Sequence, residues 1–304
     1  MLTTDIERFI AIRRAAGFRF ESAAWLLRSF GRFTRDRDEE FIKAETAIDW
    51  AAVAPTPGQR ARRLQTVRLL AQFLRAEGDG HELPPRDVFC AGTGRKPPYI
   101  LTADEIRCVV AAARQLEPPD SMRPWVYATL FGLLAATGMR VSEALALRFD
   151  DVTTEGLLIR DTKFRKSRLL PLSPTTIDAL SSYLHRRRQV AGHDDRLFVS
   201  WRRHRLSYWA VYYTFNLVCG AAGVPMHGDP GRVVRLHDIR HTFAVNALRA
   251  CPGDRDKATQ HMLALTTYMG HARVSSTYWY LEATPELLGD IAAAAASVVH
   301  GGAA

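Results

Sequence analysis

Four short segments, far apart in the chain, combine basic side chains with histidines and a tyrosine. They cover residues 136–147, 163–172, 236–244 and 270–280. Arginine keeps its charge on a planar fork that can give two parallel hydrogen bonds to a phosphate. Histidine can accept or release a proton near neutral pH, and a tyrosine hydroxyl becomes a nucleophile when its proton is removed. These side chains are suited to chemistry at a phosphate group.

The histidine pair in the third segment allows a second interpretation, a metal site. His237 and His241 are four residues apart, as in the HExxH motif of zinc enzymes. Here, however, Asp238 stands where that motif has its glutamate base, and no third ligand is evident in the sequence. The sequence therefore predicts no metal and no other cofactor.

Together the four segments resemble the catalytic domain of the tyrosine recombinases, the phage integrase family. The resemblance covers about residues 102–286. It rests on Thr-Gly-Met-Arg-Val-Ser-Glu at 137–143, His-Asp-Ile-Arg-His at 237–241, and Gly-His followed nine residues later by Tyr280, in that order. The N-terminal 90 residues fit the helical core-binding domain of that family by size and character only.

The resemblance implies an enzyme that breaks and rejoins DNA strands. A tyrosine attacks a phosphodiester, the strand is held as a 3′-phosphotyrosine, and the free 5′ hydroxyl then attacks the partner strand. Four protomers, two active at a time, exchange strands through a Holliday junction. The residues that match the family's catalytic positions are Arg140, Lys163, His237, Arg240, His271 and Tyr280.

The resemblance also gives these residues their roles. Arg140 and Arg240 would clamp the phosphate oxygens, where negative charge builds up during cleavage. His237 would transfer protons, and His271 would donate to the scissile phosphate. Glu143 matches an acid that orients the site; the alternative is an ordinary Arg–Glu pair on a helix surface.

Two of these assignments have competitors nearby. Tyr278 lies seven rather than nine residues after His271, so Tyr280 is preferred as the nucleophile. Lys163 would protonate the leaving oxygen, and counting back from the strand that follows favours it over Lys166. The alternative for this segment is a basic turn that only touches the DNA backbone.

Apolar spacing predicts the elements that must position these residues. Thr-Ala-Asp-Glu at 102–105 is a capping box that begins a helix. The apolar run 125–136 predicts a core helix that ends at Gly138. A short helix is predicted at 141–147, with two strands at 156–160 and 168–172. Further helices are predicted at 175–188, 207–222, from near Leu236, at 254–269 and at 285–299.

The apolar pattern of the first 90 residues also predicts helices. Their apolar stripes comprise Ile6, Phe9, Ile10 and Ile12, then Trp25, Leu26, Phe30 and Phe33, then Leu64, Val67, Leu70, Ala71 and Leu74. The third helix carries only basic charges between Arg60 and Arg75, which indicates a phosphate-facing element; a solvated face is the alternative. The residues expected at the DNA backbone are Arg60, Arg62, Arg63, Arg68, Lys96, Arg165 and Lys166.

Composition narrows the class of protein. Lys and Arg total 41 and Asp and Glu 32, a net charge of +9, which indicates a polyanionic partner. No apolar run reaches the roughly 20 residues of a membrane helix, and the N-terminus lacks a signal-peptide pattern. Four scattered cysteines form no CxxC pair, so we expect reduced, mostly buried thiols in a cytoplasmic protein.

The domain organisation follows from one break in the pattern. Glycines, basic residues and a Pro-Pro pair fill residues 91–98, so they predict a linker. We expect a helical core-binding, DNA-binding domain at 1–92, a linker at 93–101 and a catalytic domain at 102–304 with a C-terminal helix that docks in trans. The expected fold class is mostly α with a small antiparallel β-sheet or hairpin.

The sequence thus predicts a site-specific recombinase for DNA integration or transposition, bound to double-stranded DNA as a homotetramer. Residues 276–285 are similar to recombinases found in groups of three on bacterial mobile elements, which adds sister recombinases as partners. Two alternatives are a non-catalytic DNA-binding accessory protein of the same fold and a type IB topoisomerase. The complete set of catalytic matches disfavours the first. The short N-terminal domain and the C-terminal docking tail disfavour the second.

Overall fold

The chain divides into two compact units, Met1–Lys96 and Pro97–Ala304. A computed structural model describes residues 2–78, 80–89, 97–160, 167–190, 194–202, 204–225, 234–250 and 255–270. The division between the units falls inside the segment 93–101, where the sequence predicts a linker. The two units are described separately below.

Four helices form the described part of the first unit. They are α1 (Leu2–Ala15), α2 (Glu21–Arg35), α3 (Ala44–Ala52) and α4 (Pro57–Arg75). Helix α4 begins at Pro57, because Thr56 accepts a hydrogen bond from the N–H of Gln59 and Pro57 occupies the first helical position. Helix α3 was not among the predicted elements.

The predicted apolar stripes build the core of this unit with two exceptions. Ile6, Phe30 and Leu70 are fully buried, as their helical spacing predicts. Ile12 and Trp25, however, are 45% and 60% exposed, so their assignment to the core stripes was wrong. Spacing places a residue near an apolar face, but the neighbouring helices decide whether that position is covered.

Seven helices and a small sheet form the described part of the second unit. The helices are α5 (Ala103–Arg114), α6 (Met122–Thr137), α7 (Val141–Ala144), α8 (Pro174–Gln189), α9 (Tyr208–Ala221), α10 (Asp238–Arg249) and α11 (Arg255–Met269). The predicted capping box is present, since Thr102 and Glu105 each accept a hydrogen bond from the other's N–H. The expected mostly helical fold with a small antiparallel sheet is confirmed.

Helix α6 lies at the centre of this unit. It contacts α5, α8 and α10, and its Leu130 and Phe131 are buried together with Phe215 of α9. A smaller apolar cluster, which includes Val245 of α10 and Met269 of α11, holds those two helices together. In the described ranges, no helix is both long and apolar enough to cross a membrane.

The sheet has three short antiparallel strands in the order β1 (Val152–Thr153), β2 (Gly156–Ile159) and β3 (Arg168–Leu170). Residue pairs that lie directly opposite each other share a face of the sheet. Leu157 pairs with Leu170, and Ile159 pairs with Arg168. The three apolar members of these pairs are buried, so the register places Arg168 on the face of the sheet that is turned toward the core.

Candidate active site

The turn after α6 brings the first arginine into position. Gly138 ends α6 in the left-handed conformation with φ of 58°, and its N–H donates to the carbonyl of Leu134 at 2.9 Å. A side chain there has no room, because a Cβ would lie 2.3 Å from Cδ1 of Phe243. Arg140 follows two residues later, at the start of α7.

Glu143 in α7 holds Arg140 through both its main chain and its side chain. Oε2 accepts from the Arg140 N–H at 2.9 Å, and Oε1 accepts from Nη1 at 2.7 Å. The Glu143 side chain is 7% exposed, whereas that of Arg140 is 31% exposed. The pair is therefore anchored in the interior and does not lie on an open helix surface.

A second arginine binds the same carboxylate. Nη1 and Nη2 of Arg168 donate to Oε1 and Oε2 of Glu143 at 3.2 and 2.8 Å. Sequence reasoning grouped Arg168 with the other basic residues of its segment and gave it no role. The signal that could have singled it out is its spacing of two from the buried Leu170, which places both on one strand face.

The charge on Glu143 is stabilised by these contacts. Burial by itself raises the pKa of a carboxyl group. The hydrogen bonds from Arg168 and from the N–H and guanidinium of Arg140, with the positive charge of Arg168, outweigh burial and lower the pKa of Glu143 below its ordinary value. The carboxylate is therefore ionised at neutral pH.

Arg240, the second predicted clamp, is buried in α10. Its exposed fraction is 3%, and its Nη1 and Nη2 donate to the carbonyls of Gly138 and Met269 at 2.6 and 2.7 Å. The guanidinium thus joins the end of α6 to the end of α11. Arg140, by contrast, is the more accessible of the two guanidinium groups.

Three arginines meet at the C-terminal end of α11. The carbonyls of residues 268, 269 and 270 accept in turn from Arg168, Arg240 and Arg140 at 2.9, 2.7 and 3.1 Å. The last carbonyls of a helix have no partner within it and carry partial negative charge. The helix end therefore gathers guanidinium groups from three different elements at one place.

His237 lies immediately before α10, three residues from Arg240. Its ring meets that of His241 edge to face, with centroids 4.7 Å apart. Desolvation and then the positive charges of Arg240 and Arg140 lower the pKa of His237, although Asp238 opposes them. The imidazole is therefore neutral at pH 7 and able to accept a proton.

Some predicted site residues lie outside the described ranges, and for them the structure gives no geometry. They are Lys96, Lys163, Arg165, Lys166, His271 and Tyr280. The described chain ends at Gly270, directly before His271, and its main chain there accepts from Arg140. The structure brings together Arg140, Glu143, His237 and Arg240, and adds Arg168 to them.

The arginines of α4 differ in what they contact. Arg60 donates to the carbonyl of Ala54 at 2.7 Å, and Arg63 to that of Trp50 at 3.1 Å. Arg68 likewise donates to the carbonyl of Pro84. These three are half-buried, so each also contributes to the fold of the first unit.

Arg62 is the exposed member of the four predicted DNA-binding residues on α4. It lines an open groove of about 570 Å³ between α2 and α4, together with the exposed ring of Trp25. Trp25 was expected in the core, so this exposed aromatic beside an arginine is a surface feature that the sequence did not indicate.

A metal site finds no support in the described part of the chain. There, no three His, Cys, Asp or Glu side chains come close enough to hold an ion. Of the cysteines, Cys219 is buried and Cys108 is exposed, and both are free thiols.

Relatives and solved structures share this fold. The model of the phage integrase family matches residues 100–286. A Sinorhizobium fredii protein described as an integrase/recombinase, y4rB, is 34% identical and covers 93% of each chain. The tyrosine recombinase XerD of Mycobacterium tuberculosis is 31% identical over 77% of this chain and 73% of its own. The crystal structure of a lambda integrase tetramer bound to a Holliday junction is 16% identical, with a TM-score of 0.65, and covers 92% of this chain and 76% of that chain.

The family match and these relatives identify an enzyme of the class that cleaves and rejoins DNA strands. With a family match over more than half of the chain and a relative that is 34% identical over nearly all of it, the chain belongs to the phage integrase family.

Proposed function

We propose that this chain is a site-specific recombinase that cleaves duplex DNA through a 3′-phosphotyrosine on Tyr280 and exchanges strands through a Holliday junction. The observation that carries the proposal is the arginine cluster at the end of α11. There the half-exposed Arg140 is fixed by the buried carboxylate of Glu143, and its Nη2 donates to the carbonyl of Gly270, the residue before His271.

In the cleavage step, each side chain has one role. The Tyr280 hydroxyl attacks phosphorus and gives its proton to the neutral imidazole of His237. The bond to the 5′ oxygen breaks, and that oxygen takes a proton from Lys163. Arg140, with Arg240 and His271, stabilises the charge on the non-bridging oxygens. Rejoining is the reverse, with a 5′ hydroxyl of the partner strand as the nucleophile and Tyr280 as the leaving group.

The relatives support the assembly that this reaction needs. Lambda integrase has been crystallised as a tetramer on a Holliday junction, and the two chains share a fold. We infer that the present chain also acts as a tetramer on DNA, built from its own copies or together with sister recombinases, and that it works in the cytoplasm. The C-terminal helix predicted at 285–299 would dock on the neighbouring protomer.

The first unit would hold the DNA by charge and by ring contacts. The groove between α2 and α4 presents Arg62 for a phosphate, with the exposed side chain of Trp25 beside it. A phosphate contact fixes position on the duplex without reading sequence. We therefore assign this groove to the backbone of the recombination site.

Substitution of the nucleophile tests the proposal. A duplex carrying the sequence that the protein selects from a random library is nicked near its centre, so that cleavage releases a short fragment and traps the enzyme. We expect Tyr280→Phe to abolish the covalent adduct on a denaturing gel while DNA affinity is unchanged, because only the hydroxyl is lost.

The matched control for this experiment is Tyr278→Phe, which should still form the adduct. An adduct that survives in Tyr280→Phe and is lost in Tyr278→Phe would reassign the nucleophile. If the wild-type protein binds the duplex but forms no adduct, an accessory DNA-binding role replaces the enzyme. Relaxation of supercoiled DNA that lacks the selected site would indicate a topoisomerase.

A further inference from the structure

We propose that Arg168, the first residue of β3, is a positioning residue for DNA cleavage, which holds Glu143 so that Glu143 in turn fixes the guanidinium of Arg140. The inference rests on the proposed function and names a residue that acts on the same site. Three features of the structure carry it: the burial of Arg168, the symmetry of its contacts, and its fit against the main chain at Gly270.

Arg168 is an arginine turned toward the interior. Its strand partner Ile159 and its neighbour on the same face, Leu170, are buried, and the Arg168 side chain itself is 11% exposed. An arginine so covered has little surface to offer a DNA phosphate. Its charge is instead matched from within the protein, as a buried charge requires.

The contacts of Glu143 are shared evenly between two arginines. Oε1 accepts from Nη1 of Arg140 at 2.7 Å and from Nη1 of Arg168 at 3.2 Å. Oε2 accepts from the N–H of Arg140 at 2.9 Å and from Nη2 of Arg168 at 2.8 Å. The bidentate grip of Arg168 fixes the plane of the carboxylate, and that plane sets where Arg140 must lie.

The guanidinium of Arg168 also supports the chain that leads to His271. Its Nε donates to the carbonyl of Tyr268 at 2.9 Å. Gly270 has φ of 64°, and a Cβ there would lie 2.7 Å from Nη1 of Arg168. The main chain at Gly270 therefore lies directly against this side chain, so Arg168 joins β3, α7 and the end of α11.

Loss of this grip should loosen Arg140 without removing it. A lysine at 168 keeps the charge but cannot bind both carboxylate oxygens and the Tyr268 carbonyl in one plane. Misplacement of a reacting group by about 1 Å can lower a rate by about 10²-fold. The effect should appear in the cleavage step and not in DNA affinity, since Arg168 is too buried to contribute much to binding.

The experiment measures single-turnover cleavage of the same nicked, selected duplex by Arg168→Lys. We expect the rate constant to fall by about 10²-fold, with unchanged DNA affinity and an adduct yield at long times close to that of the wild type. A purely structural role would lower the yield, because fewer molecules are folded, and would leave the rate constant of the folded fraction unchanged.

Glu143→Gln provides the second variant and closes a double-mutant cycle. It leaves Arg168 in place but removes the charge that both arginines hold, so we expect a similar fall in rate. The double variant should be no slower than the slower single variant, because both act through one contact. If Arg168→Lys does not fold, Arg168→Gln takes its place: its amide can donate to Glu143 but cannot bind both carboxylate oxygens, so the same fall in rate at full adduct yield is expected.

Arg187→Lys is the matched control. Arg187 in α8 is likewise buried, at 4% exposed, and donates to main-chain carbonyls, those of Val190, Asp194 and Arg196. It should lose stability and adduct yield, with an unchanged rate constant.

Two results would overturn this inference and leave the proposed function intact. One is a wild-type cleavage rate for Arg168→Lys, and the other is a double variant whose loss in rate equals the product of the two single losses. If the wild-type protein forms no adduct, the proposed function fails, and the inference fails with it.

Discussion

Glu143 is a buried carboxylate whose ionised form the protein stabilises through two arginines, and this makes stability depend on acid pH. Its pKa is lowered in the folded protein, while in the unfolded chain it is near the ordinary value of about 4.3. The stabilisation is therefore complete above that value and is lost as the pH falls through the folded pKa.

We predict that Glu143→Gln removes part of the dependence of stability on acid pH. As the pH falls below the ordinary carboxyl pKa of about 4.3, the urea midpoint of the wild-type protein should fall more steeply than that of the variant, because the variant has no proton to gain at this position. At neutral pH the variant should be less stable, because two arginines lose their charged partner.

Urea unfolding followed by circular dichroism at several pH values measures both effects. Glu155→Gln is the control, since Glu155 is exposed in the turn between β1 and β2 and should leave the profile unchanged. Parallel profiles for the wild-type protein and Glu143→Gln would contradict the prediction.

At the same scale, the two predicted clamps differ in a way that the sequence could not show. In the sequence, Arg140 and Arg240 look alike, because each is the single arginine of a short motif. The fold leaves Arg140 at 31% exposed and buries Arg240 with two main-chain carbonyls as acceptors. The catalytic roles of both remain predictions, but Arg240 also holds two helix ends together.

Among the elements, the turn that closes α6 is the one that the site depends on most. Gly138 combines a left-handed conformation with a close approach to the ring of Phe243. We predict that Gly138→Ala lowers the free energy of unfolding by at least about 2 kcal/mol, from the backbone strain and the overpacking together.

The control for this prediction lies in the same helix. Gly132 has helical geometry and no atom within 4 Å of an added Cβ, so Gly132→Ala should be neutral or stabilising by up to about 1 kcal/mol. Urea unfolding of both variants provides the test. Equal stability of Gly138→Ala and the wild-type protein would show that the turn can relax.

Helices with strong apolar periods were predictable from the sequence, and short or context-dependent features were not. The predicted helix 125–136 corresponds to α6, and the predicted strands correspond to β2 and β3. Strand β1 has two residues, too few to show a period. Trp25 fits a helical stripe, but whether another helix covers it depends on tertiary packing.

The candidate site likewise contains residues that the sequence could identify and one that it could not. Arg140 and Arg240 stand in recognisable motifs and could be named from sequence. Arg168 lies in a basic segment with Lys163, Arg165 and Lys166, where composition cannot tell which side chain turns inward. That distinction comes from strand register, which a sequence alone does not fix for three-residue strands.

The whole molecule carries a net charge of +9, and for a recombinase that charge governs how DNA is held. We predict that Arg62→Ala weakens binding to specific and unrelated duplexes alike. The log–log salt dependence should flatten by about 0.9, the contribution of one phosphate contact. Arg62 is a cleaner target than Arg63, whose guanidinium also lies over the ring of Trp50 at 5.1 Å.

Affinity measured at several salt concentrations provides the readout. Arg28→Ala is the matched control in the same unit, because Arg28 is exposed and already paired with Glu7 at 2.7 and 2.8 Å. An unchanged slope for Arg62→Ala would mean that another face of the first unit holds the DNA. A loss confined to one sequence would mean that Arg62 reads bases.

The meeting of three guanidinium groups at the end of α11 also bears on which anions the site accepts. Cations so close together repel one another. Here the negative charge of Glu143 and the helix carbonyls, whose partial charges sum to about half an electron, offset that repulsion in the absence of DNA. A phosphate that enters must therefore compete with acceptors built into the protein. A free phosphate ion must displace these acceptors by its own affinity for the arginines. A phosphate within a bound duplex is present at a high effective concentration, because the other protein–DNA contacts hold it near the site. We therefore expect the carbonyls that bind the arginines to favour a phosphate within a bound duplex over a free phosphate ion.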